Sequence, residues 1–83
     1  MVYEITIKNQ AEQFIKKLDK ITQKQILTRI EKLRLNPYLG KSLVGRLYGL
    51  RSLRVVIYRV LYVVKEMELM VIVLKIGHRK SVY

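Results

Sequence analysis

The sequence predicts an α+β fold: an N-terminal strand, an antiparallel helical hairpin, then a three-stranded antiparallel C-terminal sheet. Three observations carry this. At the start, Tyr3, Ile5 and Ile7 alternate with Glu4, Thr6 and Lys8, the period of a half-buried strand. From Ala11 to Leu33 apolar residues recur at three- and four-residue spacing, the period of a helix with one buried stripe. From Leu50 onward β-branched, aromatic and leucine residues dominate, punctuated by arginine, as strands require. A chain of 83 residues has room for one core, so 1–83 is expected to be a single domain.

The first strand covers Met1 to Lys8. Asn9 can cap a following helix, with Glu12 three residues on as its reciprocal partner. Ala11, Phe14, Ile15 and Leu18 fall at i, i+3, i+4 and i+7 and form that helix's apolar stripe. Asp19-Lys20 reads as a short break, and Thr22 with Gln25 offers a second capping pair. Ile26, Ile30 and Leu33 recur on one face, with Leu27 beside them. Asn36-Pro37 ends this helix, because proline disfavours helical geometry in the residue before it.

Pro37 to Gly49 holds the only proline and three of the four glycines. It reads as a loop with a short strand around Ser42 to Leu47. Strands are expected near Leu50–Val56, Tyr58–Lys65 and Leu69–Ile76, with Lys65 to Glu68 as the clear hairpin turn. Val56-Ile57 marks the preceding turn weakly, having no Gly, Asn or Asp. One long bent strand there remains an alternative. The order of elements gives a sheet packed on a helical hairpin.

The charge is strongly basic. Lys plus Arg number 17 against 6 Asp plus Glu, a net charge of +11. Lys32 to Lys65 contains no acid and eight bases: Lys32, Arg34, Lys41, Arg46, Arg51, Arg54, Arg59 and Lys65. Such a field draws in phosphates; an acidic protein partner would satisfy it equally well. There are no cysteines, which excludes disulfides and thiolate metal sites and is compatible with a cytoplasmic protein. One histidine and six carboxylates make a protein-only metal cage improbable, and no cofactor is expected. The apolar runs Val60–Val64 and Leu69–Leu74 are far shorter than the ~20 residues of a spanning helix. No N-terminal segment has the form of a signal peptide.

The chemistry concentrates in two places. Arg59 sits in an apolar strand, where a guanidinium must reach an anion or the sheet's rim. An ion pair with Glu4 or Asp19 would meet that need; so would a phosphate, held by a rigid fork of donors. The second place is Gly77-His78-Arg79-Lys80-Ser81-Val82-Tyr83. It offers an imidazole that can give or take a proton, two cations, a hydroxyl and a phenol, but no carboxylate side chain. Arg46, Arg51, Arg54 and Lys80 suit contacts to a phosphate backbone. Arg51 and Arg54, three apart, point to opposite faces of a regular strand. Tyr48, Tyr58 and Tyr62 could stack on bases, although tyrosines at strand spacing more often pack.

The strand Leu53-Arg54-Val55-Val56-Ile57-Tyr58-Arg59-Val60-Leu61-Tyr62 and the ending Ile76-Gly77-His78-Arg79-Lys80-Ser81-Val82-Tyr83 resemble the RelE/ParE toxin superfamily of type II toxin–antitoxin systems, and its RelE branch most. The resemblance covers nearly the whole chain. It implies the β-α-α-β-β-β fold and a metal-independent endoribonuclease, a cytoplasmic hydrolase that binds RNA and cuts mRNA in the ribosomal A site, inhibiting translation. It also implies a cognate acidic, RelB-like antitoxin as partner. By the same resemblance Arg59 contacts the scissile phosphate and Arg79 stabilises the transition state. Tyr83 serves proton transfer or base stacking, and His78 stands where relatives carry His or Lys. Two strand lysines of that branch are replaced here by Leu50 and Ser52, and its Gly-Asp turn by Val56-Ile57.

Cleavage of this kind needs a base for the 2′-hydroxyl proton, an acid for the leaving 5′-oxygen and positive charge for the phosphorane. His78 is expected as base, Tyr83 or a ribosomal group as acid, and Arg59 with Arg79 as charge stabilisers. Two other classes share the fold: a ParE-like poison of DNA gyrase, and an inactive antitoxin-binding module.

Overall fold

The first strand joins the C-terminal sheet rather than standing apart from it. In the computed structural model, which describes residues 1–81, one five-stranded sheet has the order β1-β5-β4-β3-β2. The strands are β1 (Glu4–Ile7), β2 (Lys41–Ser42), β3 (Arg51–Val55), β4 (Tyr58–Lys65) and β5 (Met70–His78). Helices α1 (Asn9–Lys16) and α2 (Lys20–Glu31) lie between β1 and β2 in the chain. The C-terminal strands pair antiparallel, as expected. β1 pairs parallel with β5, setting Ile5 against Val71 and Ile7 against Val73. The expected three-stranded sheet is thus widened on both edges, by β1 alongside β5 and by β2 alongside β3; β5, apolar along its length, gains a neighbour on each side.

Helix starts differ from expectation by one residue type each. Lys8, not Asn9, occupies the cap position of α1, and it makes no side-chain cap bond. Asp19 caps α2, accepting a 3.2 Å hydrogen bond from the Thr22 backbone N–H. Hydrogen bonding from Thr22 holds the Asp19 carboxyl below the usual carboxylate value. Thr22 is therefore the donor, not the cap. The expected strand at Ser42–Leu47 is two residues long, Lys41–Ser42, and Gly45–Leu47 forms a 3₁₀ turn instead. Gly45 has a φ of 67°, which breaks an extended run.

The core joins the two helices to one sheet face. Ala11, Ile15, Ile26, Ile30 and Leu33 pack on Leu53, Val55, Val60, Tyr62, Val71, Val73 and Ile76, all buried. Leu27, beside the stripe, is exposed. Alternation along β4 sends Tyr58, Val60, Tyr62 and Val64 toward the helices and leaves Arg59, Leu61 and Val63 on the opposite, open face. β5 contains an irregularity the sequence does not announce. Leu61 pairs with Lys75 and Tyr62 with Val73, so Leu74 is an extra residue. This bulge resets the alternation: Val73 and Ile76 both reach the core, and Gly77 comes opposite Arg59.

β3 and β4 are separate strands joined tightly at Val56-Ile57. The turn forms without a turn residue by placing Val56 at φ 57°, a left-handed conformation that costs a β-branched residue roughly 1–2 kcal/mol. Val56 is 55% exposed, so it returns little of that through packing. Val56→Asn is expected to stabilise the fold by about 1 kcal/mol, a rise of roughly 4–8 °C in Tm for a domain of this size. A thermal melt with Tm unchanged or lowered would contradict the strain.

Candidate functional site

The β3–β4 turn and the end of β5 bring part of the predicted set together. Arg54 and Arg59 are direct cross-strand partners, with Gly77 next across from Arg59. Partners in register share a face, so both guanidinium side chains stand on the open side of the sheet. Arg54 is exposed and Arg59 half-buried. Like charges directly opposite one another raise the local positive potential. Glycine at 77 leaves the neighbouring position on that face without a side chain.

The tail is tied to this turn. The Arg79 backbone N–H donates to the Ile57 carbonyl at 2.9 Å, and the Ser81 N–H donates to the His78 carbonyl at 2.9 Å. The chain therefore curls at His78 and holds the half-buried Arg79 close to the Tyr58-Arg59 strand start. His78 is exposed and pairs with Tyr58 across the strands. Its ring meets that of Tyr58 edge-on, with centroids 6.4 Å apart, and Tyr58 in turn meets Phe14 of α1 edge-on at 5.6 Å. His78 thus belongs to the helix-side register, at the rim of the sheet, while Arg59 belongs to the open side. The Lys80 N–H makes a long contact, 3.4 Å, with His78 Nδ1. Lys80 itself is exposed. Tyr83 lies outside the described residues.

Two predicted contacts sit elsewhere. Arg51 points to the helix side of β3, opposite to Arg54. Its Nη1 donates to the Gly40 carbonyl at 2.6 Å, and its guanidinium lies 4.9 Å from the centre of the Tyr38 ring. Arg46 is exposed on the β2–β3 loop, at the far end of the strands from His78. Tyr62 is fully buried and donates to the Pro37 carbonyl at 2.8 Å; it is a core clasp, not a stacking platform.

Gln10 escaped the sequence reading. Its Nε2 donates to the Ile76 carbonyl at 3.2 Å, and its Oε1 accepts from the Ile76 N–H at 3.0 Å. The side-chain amide thus replaces a strand partner where β1 has ended, and it fixes the segment that leads into Gly77-His78-Arg79. An exposed-looking glutamine in a first helical turn gives no sequence signal for this. Gln10→Leu removes both bonds and is expected to destabilise the fold by about 1–3 kcal/mol, measured by urea denaturation. A change below about 0.5 kcal/mol would show that water replaces the amide without loss.

Among the described residues no group of three or more His, Cys, Asp or Glu is placed to hold a metal ion. No helix among them is long and apolar enough to cross a membrane.

The arrangement has relatives. Residues 5–83 match the family model described as ParE toxin of type II toxin-antitoxin system, parDE. The chain belongs to this toxin family. No curated protein sequence matches the toxin significantly, but solved structures do. A chain of the toxin–antitoxin complex RelBE2 from Mycobacterium tuberculosis is similar with a TM-score of 0.86 and 26% identity, over 95% of this chain and 100% of that one. The archaeal RelE–RelB complex from Pyrococcus horikoshii OT3 gives 0.78 and 22%, over 98% and 99%. The intact E. coli RelBE complex gives 0.78 and 17%, over 92% and 95%. The last two show the fold alone. The toxin is thus a type II toxin of the RelE/ParE superfamily, and all three neighbours were solved as complexes with RelB-type antitoxins.

Proposed function

We propose that the toxin is a cytoplasmic endoribonuclease that cleaves mRNA in the ribosomal A site and so stops translation. The observation that carries this is the cross-strand pair Arg54–Arg59 on an open sheet face, with Arg79 held by its backbone to the adjoining turn. Paired guanidiniums fit phosphate oxygens. In this reading Arg59 binds the scissile phosphate, Arg54 a neighbouring one, and Arg79 the charge that builds on the phosphorane. Lys80 assists from the tail; Arg46 and Arg51 lie too far along the strands to share that phosphate.

The 2′-oxygen attacks phosphorus as the bond to the 5′-oxygen breaks, leaving a 2′,3′-cyclic phosphate and a 5′-hydroxyl. His78 stands on the helix side of the rim, so the RNA must pass over that rim from the open face for its Nε2 to take the 2′-hydroxyl proton. Its Nδ1 must then carry hydrogen and give up the contact from Lys80. Tyr83 or a ribosomal group returns a proton to the leaving oxygen. The basic surface also suits an acidic, RelB-like antitoxin that orders on binding.

The ParE family match keeps a second reading in view: a poison of DNA gyrase, which needs no phosphate-and-proton site. In vitro translation with primer extension on the message separates them. Cuts within the A-site codon that require ribosomes are expected. Intact message and undiminished translation, with gyrase-dependent DNA breaks, would sink the nuclease reading.

A further inference from the structure

The register that unites Arg54 and Arg59 builds a second row on the same face. Lys41 of β2 is the partner of Ser52, Ser52 of Leu61, and Leu61 of Lys75. Direct partners share a face, so Lys41 and Lys75 stand on the open side with Arg54 and Arg59. Both lysines are exposed, whereas Ser52 and Leu61 between them are buried. The row therefore shows solvent its two ammonium ends.

Three strand spacings separate those ends, about 14 Å between backbones. The row of Arg54, Arg59 and Gly77 lies two residues along, about 7 Å away. Paired residues on the open face of β2 to β5 include no carboxylate, and on the adjoining β1 Glu4 stands opposite Met70. Lys41, Arg54, Arg59 and Lys75 thus frame a patch several times the size of one phosphate, with Lys65 on the same face farther along β4. A single bound phosphate would engage the arginine row and leave the lysines idle; a strand of several phosphates would engage both.

The position of Lys41 is built rather than incidental. Gly40 before it has its N–H held by the Tyr62 hydroxyl at 2.8 Å and its carbonyl by Arg51 at 2.6 Å. Lys75 is set by the bulge, which turns it to the open face beside Leu74.

We infer that Lys41 and Lys75 grip the backbone of single-stranded RNA on either side of the Arg54–Arg59 pair, so that the toxin holds flanking nucleotides as well as the scissile one. This rests on the nuclease reading for its ligand. The lysines are binding residues, remote from the reacting atoms. Backbone contacts carry no base preference, so their effect is uniform across sequences and sensitive to salt.

The test measures binding of a short, 2′-O-methylated single-stranded RNA, which cannot be cleaved, over a range of salt. Lys41→Gln/Lys75→Gln is compared with Lys20→Gln/Lys24→Gln, an equal charge change on exposed residues of α2. The first pair is expected to lower the slope of log affinity against log salt by about 1.4, at ~0.7 per lost contact. Between 50 and 200 mM salt that shrinks the wild-type advantage roughly sevenfold. The α2 pair leaves the slope unchanged, and Lys41→Arg/Lys75→Arg restores it. No change in slope, equal changes in both pairs, or no wild-type binding at the lowest salt overturns the inference. Because the probe is never cut, intact message in the translation assay would overturn the nuclease reading separately, with the slope still deciding the lysines.

Discussion

Arg79→Ala is expected to slow ribosome-dependent cleavage of mRNA by roughly 10²–10³-fold in single-turnover experiments. That is the usual cost of removing one preorganised group aimed at transition-state charge. Ribosome affinity should change far less, because the contact matters only as charge develops. The geometry behind this is specific: Arg79 is anchored through its backbone to Ile57, so alanine keeps the anchor and loses only the side chain. Arg79→Lys should recover part of the rate, since an ammonium supplies charge without the two-pronged fit. Arg59→Ala should be at least as damaging, and would weaken ground-state binding too, because the scissile phosphate loses its guanidinium while Arg54 is engaged on the neighbouring one. A loss below tenfold for Arg79→Ala, with ribosome binding intact, would remove Arg79 from the reaction.

The largest effect on stability is expected at the clasp between the Pro37–Gly40 loop and β4. The buried Tyr62 hydroxyl donates to the Pro37 carbonyl and accepts from the Gly40 N–H, both at 2.8 Å. Tyr62→Phe strands both groups in the core and should cost about 1–3 kcal/mol. Gly40→Ala should cost at least as much. A Cβ there would lie 2.6 Å from the Tyr62 hydroxyl and 2.9 Å from the Ser52 carbonyl, so ring or backbone must move. A loss of about 3 kcal/mol lowers Tm by roughly 12–24 °C in a domain of this size. The two changes share an atom, so the double variant should be less destabilised than the sum. Strict additivity in urea denaturation would argue against a direct clash. There is also a pH signature. Burial pushes the Tyr62 phenol upward, so the folded state favours its neutral form. That stability is complete below the unfolded value of about 10 and is lost as pH rises through the folded value. Wild type should therefore weaken above about pH 10 more steeply than Tyr62→Phe.

Both sets of residues show where legibility ended. The arginine at 59 was visible because a guanidinium in an apolar strand needs an explanation. Its pairing with Arg54 was not, because register depends on the Val56-Ile57 turn, and that turn lacks the residues that usually announce one. His78 was visible as the single imidazole in a cationic tail, but its place beside Tyr58 rather than Arg59 follows from the bulge at Leu74. Arg51 looked like a phosphate ligand by charge alone; in the fold its donors are directed to Gly40. Tyr62, whose strand spacing favoured packing over base stacking, is fully buried.

The sequence by itself determined the elements and their class. Periods of 2 and 3.6 and the stop at Asn36-Pro37 act over a few neighbouring residues, so local patterns suffice to reveal them. The basic, acid-free stretch and the two motifs at Arg59 and Arg79 likewise announced a toxin of this superfamily. Only the tertiary structure decided that β1 runs parallel to β5, that Asp19 rather than Thr22 caps α2, and that Gln10 completes the edge of β5. It alone set Lys41, Arg54, Arg59 and Lys75 on one face. Which side chains share a face depends on register between strands far apart in the chain. One extra residue at Leu74 is enough to invert it, because strand side chains alternate with a period of two.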